Sequence, residues 1–247
     1  MGFFDKYSIF YNTSETSPYP DRLNLRYEAI FGRNVGKIKG KRVLDIASHD
    51  GRWTFAALKA GAAHVTGVEP RRDLVDNAKR TLAAYEIDPS SYQFVVGDVF
   101  EFLQGESFDV VLCLGFFYHT IRHAELFDLM ERTGASFLVI DTEVTPPTGC
   151  SVLTDADPRM VFRNPYSVHL LQESVDSQQM AWRDSLTRNG VTLVGRPSRE
   201  VVKFMANHFG FTADTFDWRK LLHDTNVPIS TVADYDQGWR ATFFCQR

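Results

Sequence analysis

Residues 43 to 53, VLDIASHDGRW, decide how the rest of the chain is read. An unbroken apolar run ends in Asp45, a short polar turn follows, and from Gly51 onward the pattern turns helical. Strand, tight turn and helix in close succession open a βαβ unit. The turn holds Ala47, Ser48, His49 and Asp50, where a ligand-binding turn of this kind usually carries glycine. Only Gly51 remains. The segment is therefore either a binding loop of altered composition or a plain junction between strand and helix.

The surrounding pattern favours a layered α/β fold. RVLDIA shows no polar alternation, as expected of a strand buried on both faces. Trp53, Phe55, Ala56 and Leu58 recur at helical spacing, and Gly61 supplies a stop. HVTGVEP, YQFVVGDV, FDVVLCLG and ASFLVIDTEV read as further strands. Between them RRDLVDNAKRTLAAYEI, VFEFLQG and HAELFDLMERTG read as helices. This alternation predicts a Rossmann-like, doubly wound and mostly parallel sheet with helices on both faces.

The rhythm stops between residues 146 and 196, although VHLLQESVDSQQMAWRDSLTRNG has room for a helix. SREVVKFMANHFGF then reads as an amphipathic helix capped by Ser198. TADTFDW and WRATFFCQR read as two last strands that extend the sheet at one edge. Ahead of everything, YNTSETSPYPDR is broken by prolines, and RLNLRYEAIF reads as a short helix. The expected organisation is one domain: an N-terminal lid or helical segment (1–40), a ligand-binding core (41–145), a substrate-side insertion (146–196), and closing helix and strands (197–247).

Composition narrows the function classes. A chain of 247 residues can bury a large core, and a net charge of -4 supplies no broad basic field for phosphate backbones. Nucleic acid is therefore not the expected partner; a small-molecule acceptor is, and self-association stays open. Three cysteines without CxxC spacing argue for neither a disulfide framework nor a zinc site. No apolar stretch approaches a membrane span, and a cytoplasmic location is expected.

Ligands of open α/β sheets bind beyond the carboxyl ends of the strands. Three cues fall there in order. The turn 47–51 ends the first strand. Glu69, followed by Pro70, ends the second and is placed to accept from a ribose diol. Asp98 in GDV ends the third and could accept from an adenine amino group. Each has a plainer reading: Asp45 as a helix cap, Glu69-Pro70 as a turn, Phe116, Phe117 and Tyr118 as core.

With these cues in hand, the chain resembles the class I S-adenosylmethionine-dependent methyltransferases over roughly residues 41 to 145. Their first motif, DxGxGxG, reads here DIASHDG: Asp45 and Gly51 match, while Ala47 and His49 replace two glycines. The resemblance implies S-adenosylmethionine as cofactor, with Asp45, Ala47, Ser48 and Gly51 in its loop. It places Glu69 and Pro70 at the ribose, Asp98 and Val99 at the adenine, and Leu114 and Gly115 beside the sulfonium. CLGFFYHTIRHAELFDLM and FLVIDTEV also resemble patterns of the enzymes that carboxymethylate a tRNA wobble uridine. Without that family's glycines and basic surface, the chain reads as a relative acting on something else.

His119 follows the fourth strand, where an acceptor would meet the methyl group, and an imidazole there can serve as general base for a hydroxyl. Tyr118 is a candidate pocket wall. Asp141 and Glu143 share one face of the fifth strand, so they could orient hydroxyls or hold magnesium; Glu143 is taken as a substrate contact and no metal is expected. Tyr11 and Tyr19 could fold over the site as part of a lid, with Arg22 or Arg26 meeting the cofactor carboxylate. The expected activity is O-methylation of a small polar acceptor such as a sugar or natural-product intermediate. The alternatives are a tRNA-modifying enzyme and a non-catalytic nucleoside-binding relative.

Overall fold

The computed structural model describes residues 1–13, 19–145, 166–175, 184–225 and 227–247. Helices α1 (Ile9–Thr13), α2 (Pro20–Tyr27) and α3 (Val35–Ile38) lead into β1 (Arg42–Ile46). Then follow α4 (Arg52–Lys59), β2 (His64–Val68), α5 (Arg72–Ala84), β3 (Tyr92–Val95) and α6 (Val99–Phe102). Next come β4 (Val110–Leu114), α7 (His123–Arg132) and β5 (Phe137–Glu143). A two-stranded ribbon, β6 (Val168–Ser174) with β7 (Val191–Pro197), precedes α8 (Arg199–His208) and β8 (Thr212–Thr215). Two helices, α9 (Trp218–Thr225) and α10 (Ala233–Asp236), precede β9 (Arg240–Gln246).

The main sheet has seven strands in the order β3-β2-β1-β4-β5-β9-β8. β1 to β5 pair in parallel, while β9 runs antiparallel between β5 and β8. Strand order reverses between β1 and β4, and this leaves a crevice at the carboxyl ends of both. The predicted doubly wound, mostly parallel sheet is therefore present, and the two closing strands that extend its edge are antiparallel.

Both faces of the sheet are covered, which explains the lack of alternation in its strands. On one face Leu44, Ile46, Val111, Cys113, Leu138 and Phe243 pack together. On the other, Val43, Leu112 and Val139 meet Trp53, Phe55 and Phe31. The N-terminal Phe4 and Phe10 join the same cluster, fully buried. The N-terminal segment is thus part of the core up to Thr13; residues 14–18 of the expected lid lie outside the described residues.

The stretch with room for a helix begins as a strand, and its residues 176–183 lie outside the described residues. Residues 168–174 form β6 rather than a helix, and their pairing with β7 fixes the register from Val168 opposite Pro197 to Ser174 opposite Val191. All of β6 is exposed except Glu173, which is half-buried, so neither a helical nor a strand period shows in its sequence. β7 is the inner strand of the ribbon and buries Thr192, Val194 and Gly195. Residues 146–165 and 176–183, including Cys150, lie outside the described residues.

Candidate active site

A cavity of about 450 Å³ opens at the crevice, bordered by the turns after β1, β2, β3 and β4. That size suits a ligand of drug-like dimensions. Its first wall is the turn that opened the reading. Ala47 and His49 both hold positive φ, 52° each, and Gly51 holds 75°. Left-handed backbone costs a side-chain-bearing residue roughly 1–2 kcal/mol, so the turn keeps a glycine-like path without the glycines. Gly51 itself cannot be replaced on two counts, since an added Cβ would also meet Ala78 and Phe94 at 2.9 Å.

Polar contacts hold this turn in place. The His49 amide donates to Glu69 Oε2 at 3.1 Å, tying the first turn to the second. Asp50 is buried, accepts from Arg52 Nε and Thr13 Oγ1 at 2.7 Å each, and so fastens the N-terminal helix to the loop. Burial pushes its carboxyl up, but the Arg52 guanidinium and His49 more than offset this and leave it at about 2. Glu69 Oε1 accepts from the Arg71 amide and Nε at 3.1 and 3.0 Å. With three of its four acceptor positions used, one remains for a ligand. Asp98 caps α6 through Oδ1, 2.7 Å from the Phe100 amide, and burial raises its pKa.

Not every expected residue lines the cavity. Ala47, Glu69, Pro70, Asp98, Val99, Leu114, Gly115 and Arg26 do, and so do Tyr118, His119 and Glu143. Asp45, Ser48 and Gly51 lie behind the wall. Asp45 Oδ2 accepts from Thr54 Oγ1 at 2.7 Å, anchoring β1 to α4, and Oδ1 has no partner among the described residues. Its burial raises the carboxyl to about 7 against the pull of that hydrogen bond. Tyr11 donates to Asp5 at 2.6 Å, and Tyr19 projects into solvent; neither borders the cavity.

The opposite wall is a charge cluster around Asp141. This carboxylate is fully buried and accepts from Arg240 Nε (2.7 Å), Arg26 Nη2 (3.1 Å), Tyr235 Oη (2.7 Å) and Thr242 Oγ1 (2.6 Å). Burial alone would raise its pKa, but Arg26, Arg240 and the two hydroxyls hold it well below the usual range. Two donors on each oxygen leave no room for a cation, so Asp141 cannot pair with Glu143 around magnesium. No cluster of three or more His, Cys, Asp or Glu suited to a metal occurs among the described residues. Glu143 instead accepts from Arg196 Nε on the ribbon. Arg22 forms a two-pronged pair with Asp234 at 2.6 Å, and Arg26 Nε is buried without a partner among the described residues.

The third wall is the turn after β4, residues 115 to 120. Gly115 holds φ 103°, and its amide donates to the Asp141 carbonyl at 2.9 Å. Buried His123 stacks on Phe117 and donates from Nε2 to the Phe117 carbonyl at 3.0 Å. Burial drops its pKa to about 4, so it stays neutral. Tyr118 lies beneath the Arg240 guanidinium, 5.3 Å from ring centre. His119 Nδ1 stands 2.7 Å from Glu173 Oε2 of β6.

Arg240, Arg52, Arg71, Phe100 and Glu173 were absent from the sequence reading. An arginine within the otherwise apolar WRATFFC was the available signal, since a charge in a buried strand demands a partner. Glu173 carried no such signal.

Residues 43–135 match the family model described as a methyltransferase domain. The ribosomal RNA large subunit methyltransferase I of Enterobacter sp. (strain 638) is 36% identical over 80 residues, 30% of this chain and 20% of that protein. The match thus spans about a fifth of that relative's length. Among solved structures, the N-terminal domain of EvdMO1 with SAH bound superposes with a TM-score of 0.60 at 18% identity, over 96% of this chain and 83% of that one. Magnesium protoporphyrin IX methyltransferase (ChlM) from Synechocystis PCC 6803, also with SAH bound, gives 0.59 at 14% identity, over 99% and 94%. At such identities the likeness is one of fold. The fold is that of the class I methyltransferases, and residues 43–135 carry its methyltransferase-domain signature.

Proposed function

We propose that the protein is an S-adenosylmethionine-dependent methyltransferase that O-methylates a hydroxyl of a small polar acceptor, such as a sugar or natural-product intermediate. The observation that carries this reading is the position of His119. It borders the same cavity as Glu69 and Asp98, next to Leu114 and Gly115. The cofactor fits the groups present. Glu69 keeps an acceptor position for a ribose hydroxyl, Asp98 offers Oδ2 to an amino group, and Arg26, which borders the cavity, is a cation suited to a carboxylate. Bound there, S-adenosylmethionine supplies an activated methyl group on a cationic sulfur.

The chain's own residues do the remaining work. The loop 47–51 and Glu69 orient the nucleoside. Tyr118 and the Glu143–Arg196 pair close the acceptor side and exclude water. His119 takes the hydroxyl proton, which a sugar or alcohol must lose as its oxygen attacks. In-line placement supplies most of the rest.

An RNA acceptor is the second reading, favoured by the ribosomal RNA methyltransferase relative and the resemblance of residues 113–130 to the wobble-uridine enzymes. The net charge of -4 weighs against it.

The test begins with calorimetry of S-adenosylmethionine binding. Glu69→Ala is expected to raise Kd by roughly tenfold to a hundredfold, the worth of one hydrogen bond to a charged group. Methyl-deuterated cofactor is then incubated with small-molecule and tRNA fractions of a cell extract, and products are read by mass spectrometry. Labelled small hydroxyl compounds are expected, with turnover falling by ~10²–10⁴ in His119→Ala. No cofactor binding by the wild type overturns the family reading; label in the tRNA fraction alone overturns the acceptor.

A further inference from the structure

We infer that Glu173, carried by the ribbon, is a positioning residue that fixes His119 as the base; this rests on the function proposed above. A carboxylate can only accept a hydrogen bond, so Nδ1 of His119, 2.7 Å from Glu173 Oε2, bears the proton. In the neutral ring the second nitrogen, Nε2, is then the acceptor. Without the carboxylate both tautomers are open to the ring, and only one of them presents its lone pair at Nε2.

The chain places Glu173 for this contact rather than by default. Every other residue of β6 is exposed, including Val168, Leu170 and Leu171, which are apolar. Glu173 alone is drawn inward, against the usual preference that would bury the leucines and expose the acid. Its side chain keeps 21% exposure and that of His119 14%, so the pair is sheltered while His119 itself borders the cavity. β7 sets the distance. Glu173 pairs across the ribbon with buried Thr192, and β7 packs on the turn that ends in His119.

The carboxylate acts twice during transfer. Before it, the Nδ1–H contact orients the ring. During it, the hydroxyl proton moves to Nε2, the acceptor oxygen bonds the methyl carbon, and the sulfur keeps the electron pair of the broken S–C bond. The imidazolium that results faces a negative charge at 2.7 Å, which stabilises it through a charge-assisted hydrogen bond. The proton then leaves to solvent.

Nitrogen-15 NMR of the histidine rings tests the tautomer with no acceptor present. In the wild type, the His119 signals, assigned by their loss in His119→Ala, are expected to show Nδ1–H; in Glu173→Ala they shift to a mixture or to Nε2–H. In the methyl-deuterated assay, Glu173→Ala and Glu173→Gln are each expected to lower kcat roughly tenfold to a hundredfold while the Kd for S-adenosylmethionine holds. Gln172→Ala, on the same exposed strand, keeps full turnover and controls for damage to the ribbon. Unchanged tautomer and kcat in a folded Glu173→Ala overturn the inference, even where cofactor binding and transfer stand. If Glu173→Ala fails to fold, Glu173→Gln, whose amide oxygen still accepts from Nδ1 but carries no charge, is judged on kcat: unchanged turnover there overturns the inference. Failure of wild-type transfer instead overturns the function on which it rests.

Discussion

The two sides of the cavity are built by different rules. On the side of β1, β2 and β3, polar groups are held by near neighbours in the chain: Arg52 by Asp50, Arg71 by Glu69, the Phe100 amide by Asp98. On the side of β4 and β5, partners come from far away. Asp141 draws on Arg26, Tyr235 and Arg240, His119 on Glu173, and Glu143 on Arg196. The first side is mostly local, with two longer ties: the His49 amide to Glu69 and Thr13 to Asp50. The second exists only once the N-terminal helices, the ribbon and the last strand have all closed on it. The proposed cofactor side is therefore the more local of the two, and the proposed acceptor side leans more on distant segments.

Breaking the long-range side should cost the most. Asp141→Ala leaves the buried Arg26 and Arg240 guanidiniums without their shared counter-charge, and stability should fall by about 3–5 kcal/mol in urea unfolding. Because the Asp141 carboxyl is held below its ordinary value, its contribution is complete above about pH 3.9 and lost as the pH falls further. The variant should accordingly lose much of the wild type's sensitivity to acid. A loss under 1 kcal/mol would mean that the two arginines find other partners, and the contrast between the sides would weaken.

The local side carries an effect of opposite sign. Asp45 titrates at about 7 in the folded chain and near 3.9 when unfolded, so stability declines as pH rises between those values. Melting curves at pH 5 and pH 8 should show this decline, and Asp45→Asn should remove a few kcal/mol of it. Parallel profiles for the two proteins would show that the carboxyl is already ionised in the fold.

The smallest effect concerns the altered turn. His49→Gly relieves a left-handed residue, worth roughly 1–2 kcal/mol, but glycine also gives back ~0.4–1 kcal/mol of chain entropy. The net gain should be about 1 kcal/mol or less, read as a slight rise in melting temperature. A clear loss instead would show that the contact of His49 Nδ1 with Arg52 at 3.1 Å holds the loop shut.

Legibility in the sequence followed the same division. β1 to β5 announced themselves because strands buried on two faces are continuous apolar runs, and the acids at their ends sit in register with the turns they serve. The ribbon did not. β6 is exposed on both sides, so VHLLQES offers no period, and its partner strand begins only at Val191. Helix α9 went unread: the strand read over TADTFDW stops at Thr215, and Trp218, at its end, instead opens a helix that buries Trp218, Leu221 and Leu222 on one face. Asp141 shows the limit most clearly. Its place at a strand end suggested a substrate or metal contact, yet its four donors come from three other segments that no local pattern joins to it. His119 was visible as a residue type in a telling place, while Glu173 could be found only in three dimensions.

The ribbon has a consequence for how such a protein could diversify. Each of its strands sends one charged side chain to the cavity wall, Glu173 to His119 and Arg196 to Glu143, with opposite signs. A mutation that reshapes the ribbon to admit a new acceptor therefore also moves the partner of the proposed base. Drift toward another substrate would pass through variants with poor turnover unless both tethers survive. Lineages should then vary the exposed residues of β6 freely while treating positions 173 and 196 as a linked pair.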